Sequence, residues 1–194
     1  SKRYAHTLPI QTEKYGRHLM KLKTSLTVTF LLIVVLATAG IAAAAPNRNY
    51  RAHLNSANAG GESLAQGQAV FQFSKNGEEL TYKLIVANVE NIWMAHIHLA
   101  AEPGGNGPPV VWLYPDAPPP PSESIAGRSD GVLAEGTVSA ADLAGPLAGK
   151  SLDDLRAAIE QGLAYVNVHT NDFADPPNSG PGDFRPGEIR GDIH

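Results

Sequence analysis

Three histidines carry most of the chemistry available to this sequence. His96 and His98 lie in Trp93-Met94-Ala95-His96-Ile97-His98-Leu99, and His169 ends the run Ala164-Tyr165-Val166-Asn167-Val168-His169. Neutral imidazole is a common ligand for copper and zinc, and three ring nitrogens leave one coordination position open. Met94 precedes His96 by two residues, and its thioether favours Cu(I) over Zn(II). The chain has no cysteine, so any transition metal falls to His, Met, carboxylate or backbone oxygen, and no disulfide is available. Other chemistries lack their signatures. No serine sits in a G-x-S-x-G elbow. Gly104-Gly105-Asn106-Gly107 opens into Pro108-Pro109 instead of a helix, which excludes a phosphate cradle.

Strand alternation places these residues together. Trp93, Ala95, Ile97 and Leu99 share one parity and read as core, leaving Met94, His96 and His98 on the other face. Ala164, Val166 and Val168 read as core, leaving Tyr165, Asn167 and His169 opposite. His53 and His194 fall on the non-core parity of their own strands, so all five histidines beyond residue 45 are expected on an outer face. Glu188 and Asp192 share the outward parity of the last strand, as second-shell acceptors or as part of a solvated face.

Strands are expected at 50–55, 69–73, 80–86, 93–99, 109–114, 131–138, 164–170 and 187–194. Asn76-Gly77 predicts a hairpin turn between the second and third, with both residues at positive φ. One helix is expected over 152–161, with Ser151 as its cap, Asp154 at the capping-box position and Gly162 as its stop. About eight short strands, one helix and no βαβ rhythm give an all-β fold, an antiparallel Greek-key sandwich or flattened barrel.

The amino-terminal part reads differently. Met20-Lys21-Leu22-Lys23, an uncharged apolar run over 26–36 and Ala42-Ala43-Ala44-Ala45 have the layout of a secretory signal peptide. The expected division is upstream sequence at 1–19, a signal peptide at 20–44 and one β domain at 45–194. If uncleaved, the uncharged stretch from Leu26 to Ala45, twenty residues, is about long enough to anchor the chain in a membrane. Either way the domain is placed outside the cytoplasm: secreted, periplasmic or at the cell surface. Beyond residue 45, nine Lys and Arg stand against eighteen Asp and Glu, a formal charge of −9. Such a domain attracts cations and is unsuited to nucleic acid.

The motifs His96-Ile97-His98-Leu99-Ala100, Pro109-Val110-Val111, Gly136-Thr137-Val138-Ser139-Ala140-Ala141-Asp142-Leu143, Tyr165-Val166-Asn167-Val168-His169-Thr170 and Pro186-Gly187-Glu188-Ile189-Arg190-Gly191, in that order, resemble the CHRD domain, a module first described in chordin and widespread as a single exported domain in bacteria. A looser resemblance is to copper/zinc superoxide dismutase. It implies that His96, His98 and His169 stand for copper ligands and Arg190 for an anion-guiding arginine. The segment 102–130 has no histidine, however, so that family's zinc subsite is missing, and so is its disulfide. The reading from the residues is an exported CHRD domain that binds copper, or another divalent metal such as zinc, through His96, His98, His169 and Met94 without catalysis. The alternatives are a cell-surface interaction module with an unknown protein partner, in which the histidines hydrogen-bond loops, and a dismutase-like copper enzyme.

Overall fold

The computed structural model describes residues 49–194, so the expected leader at 20–44 and the sequence before it lie outside the described residues. Seven strands are present: β1 (Asn49–Asn55), β2 (Gln66–Phe73), β3 (Leu80–Leu99), β4 (Pro109–Tyr114), β5 (Ile125–Val138), β6 (Ala164–Thr170) and β7 (Ile189–Asp192). All their pairings are antiparallel. The strand order β2-β1-β7-β6-β3-β4, together with a β2–β3 pairing, closes the sheet on itself as a barrel. Among the described residues, no helix is long and apolar enough to cross a membrane.

The count is seven because two expected strands, 80–86 and 93–99, are the two halves of β3. Asn88 and Asn91 take positive φ between them, and the register with β5 slips there. Asn tolerates this conformation, so the chain bends without leaving the sheet. The first half of β3 pairs with β2 and β5, and the second half with β4 and β6. A second slip between Ile92 and Met94 gives the core position to Ile92. Trp93, expected in the core, is instead half-buried, edge-on to Phe173 with its Nε1 donating to the Pro121 carbonyl.

The β2–β3 hairpin forms as expected, but its turn is longer than the Asn-Gly pair implies. Gly77 alone has positive φ, with Gly77 N donating to Ser74 O and Ser74 N to Glu79 O. Helix α1 (Leu152–Glu160) carries the full capping box of Ser151 and Asp154 and places Leu152, Leu155 and Ile159 in the core.

The barrel closes where β7 meets β1. Asn55 pairs with Arg190, and Arg51 and His194 exchange backbone hydrogen bonds of 2.9 Å. This approach requires a glycine, since a Cβ on Gly191 would overlap the His53 carbonyl. Gly191→Ala should therefore destabilise the domain by about 2 kcal/mol or more, read as a lower denaturation midpoint with an unchanged m-value.

Candidate metal centre

The second half of β3 lies against β6 with Met94 opposite His169, His96 opposite Asn167 and His98 opposite Tyr165. The residues between them, Ala95, Ile97, Val166 and Val168, belong to the barrel core. Alternation therefore turns Met94, His96, His98, Tyr165, Asn167 and His169 to the other side of the sheet, as their parity predicts. The three imidazoles meet there. Ring centroids are 5.1 Å apart for His96 and His169, 5.4 Å for His98 and His169 and 5.5 Å for His96 and His98. One ring nitrogen from each lies within 4.8 Å of the other two.

The face is not an open one. His96, His98 and His169 are 3%, 7% and 6% exposed, and Met94 is equally buried. Trp112 of β4 stands edge-on to His96 at 4.3 Å, and the loops at 100–108 and 171–188 supply backbone partners for the other two rings. His53 and His194 are exposed and take no part.

The protonation pattern follows from those partners. Nδ1 of His98 is 2.8 Å from the Gly107 carbonyl, and Nδ1 of His169 is 2.7 Å from the Arg185 carbonyl. A carbonyl only accepts, so each Nδ1 carries the proton and each Nε2 is left as a lone pair. Those two Nε2 atoms face each other at 3.3 Å. Both nitrogens of His96 are buried with no hydrogen-bond partner. Burial pushes the His96 pKa from 6.5 down to about 3, with further lowering from His169 and His98. Burial also lowers His98, where the Arg190 charge acts in the same direction, and takes His169 down to about 4. At neutral pH no proton bridges the facing Nε2 atoms of His98 and His169, and neutral His96, which keeps one N–H, hydrogen-bonds to neither of them. Ligands of a metal with bonds of about 2.0–2.1 Å lie roughly 3.3–3.6 Å apart, so the His98–His169 pair is already at ligand spacing, with a His96 nitrogen within 4.8 Å of both.

The Arg185 carbonyl is itself held in place. Thr170 N donates to Phe184 O, and Phe184 N donates to Thr170 Oγ1. The Thr170 hydroxyl donates to Glu188 Oε2 at 2.8 Å, and Gly182 N donates to the same oxygen. Glu188, placed on a second shell or a solvated face by its parity, is only 2% exposed and anchors the loop that orients His169. Asp192 does lie on the surface. Sequence reasoning missed Thr170. Its place on the core parity of β6, where a buried hydroxyl needs a partner, was the available signal.

Comparison with known proteins bears on this arrangement. The family profile of the CHRD domain matches residues 50–176, a span that includes all three histidines and stops before β7. No curated protein and no solved structure matches the chain.

Because the three pKa values are depressed, the unfolded chain binds more protons than the folded one below pH 6.5. In chelator-treated protein, stability from this source should be fully present above about pH 7 and fall as the pH drops from 6.5 toward 4. The slope is up to roughly 1.4 kcal/mol per pH unit for each histidine still neutral. Denaturation midpoints across that range should fall less steeply for His96→Gln than for the unaltered protein.

Proposed function

The chain belongs to the CHRD-domain family, and from that premise we propose that it is an exported metal-binding module, holding copper or another divalent cation on His96, His98 and His169. A shared fold does not carry function, so the reading rests on the site. The observation that carries it is the convergence of three buried, neutral imidazoles, two with bare Nε2 atoms face to face and the third with neither nitrogen hydrogen-bonded. A cation supplies what those lone pairs lack, and in return lifts the cost of burying them unpaired. Backbone carbonyls on the remote nitrogens of His98 and His169 are the second-shell arrangement that orients metal-bound imidazole. They also tie the histidines to loops, as the interaction-module alternative requires, but that alternative leaves the facing Nε2 atoms of His98 and His169 and both nitrogens of His96 without a partner.

Copper is the first choice of metal and zinc the second. Met94, beside His169 in the register and on the same face, is the reason. A thioether adds affinity for Cu(I) and little for Zn(II). The bound ion would act as a Lewis acid at whatever occupies its open position. The chain's own residues hold the three nitrogens neutral, fix two tautomers and exclude bulk water. Export is supported by the basic, apolar and alanine-rich succession over residues 20–45.

Purified, tag-free protein should take up one equivalent of Cu(I), Cu(II) or Zn(II), and the His96→Ala/His98→Ala double variant should not. Uptake no greater than the double variant's would remove the metal reading and leave the interaction module. Met94→Leu should weaken Cu(I) much more than Zn(II), while Thr170→Val should weaken every ion roughly 10–100-fold by loosening the Arg185 carbonyl. The mass of protein recovered from outside producing cells should place its first residue near position 45. A retained leader would instead make it membrane-anchored.

A further inference from the structure

Beside the histidines is a cleft of about 500 Å³ whose polar lining is His98, Tyr165, Asn167, Arg190, Asn58 and Asn106. Its composition is unlike that of the chain around it. Acidic residues outnumber basic ones two to one beyond residue 45, yet no carboxylate lines this cleft, and its one charged group is a guanidinium. The remaining polar side chains are chiefly amides, with glycines bringing main chain to the surface between them.

The groups in the cleft are partly committed, and what remains has a definite character. Arg190 lies over the Tyr165 ring at 3.6 Å. It donates through Nη1 to Asn106 Oδ1 at 2.9 Å and through Nη2 to Asp192 Oδ1 at 3.2 Å. Three of its five N–H groups are left over, as is the NH₂ group of Asn106. Asn167 is 7% exposed, its Nδ2 donates to Pro186 O, and its Oδ1 is a buried acceptor with no donor. Asn167 Oδ1 is closed off from the cleft, so a fitting ligand is one that accepts at Arg190 and Asn106.

We propose that this cleft binds a small carboxylate. The carboxylate takes the spare N–H groups of Arg190 and Asn106. Charge-assisted pairing at a planar guanidinium gives the carboxylate its preference over a neutral isostere. The cleft volume falls in the range of small-molecule sites. The assignment stands apart from the metal reading, since none of these groups needs an ion to act.

The test uses chelator-treated protein at pH 7, titrated with glycolate, acetate and glycolamide and followed by amide NMR shifts. Glycolate and acetate should both perturb Gly104, Asn106, Gly107 and Gly187, and glycolamide should bind much more weakly. Arg190→Gln should cost roughly tenfold or more in glycolate affinity. Asn106→Ala should weaken it, and Asp192→Asn, a surface change that frees the guanidinium from its partner, should tighten it. Glycolamide binding as well as glycolate, no response at tens of millimolar glycolate, or an affinity indifferent to both Asn106→Ala and Asp192→Asn would overturn the proposal. A failed metal titration leaves all of these readouts intact.

Discussion

A backbone carbonyl accepts hydrogen bonds and never donates them, and two carbonyls, of Gly107 and Arg185, sit against Nδ1 of His98 and His169. That one-way chemistry fixes which nitrogen of each ring is protonated and so which one is bare. The bare nitrogens face each other, beside a His96 with no partner for either of its own. Had either carbonyl been a hydroxyl, the rings would be free to exchange tautomers and share a proton. The character of the site thus begins outside it, in the loops that present those two oxygens.

Those loops are held by the barrel. The 171–188 segment is pinned by Thr170, at the end of β6, and by Glu188, whose buried carboxylate takes two donors in place of a counter-ion. A buried carboxylate left unpaired is costly, but one that accepts well-placed hydrogen bonds holds their donors firmly. On the other side, β3 brings His96 and His98 into line with β6 only because its bend at Asn88 and Asn91 lets one strand serve both halves of the barrel. The same alternation that fills the core with Ala95, Ile97, Val166 and Val168 puts the histidines on the far side.

This arrangement sets stability against readiness. Three imidazoles kept neutral in a dry pocket weaken the fold in acid, and unpaired acceptors weaken it at any pH. Any ligand that binds only the folded site returns part of that cost by mass action. The carboxylate-free cleft next to His98 fits the same pattern, an enclave of donors in an acidic domain.

Much of this was legible in one dimension, because period-two alternation is a local rule and survives without tertiary information. The parity of His96, His98 and His169 was readable from Ala95, Ile97, Val166 and Val168, and so were the family motifs, the capping box at Ser151 and the extents of β4 and β6. The joining of 80–86 to 93–99 was not, since a bend at two asparagines looks like a break until the neighbouring strands are seen to continue across it. Parity says which side of a sheet a residue faces, but not whether a loop covers that side. Only the tertiary structure decided that the three histidines are buried, that Glu188 turns inward, and that Gly107 and Arg185 aim their carbonyls at Nδ1, because each depends on groups brought together from distant parts of the chain.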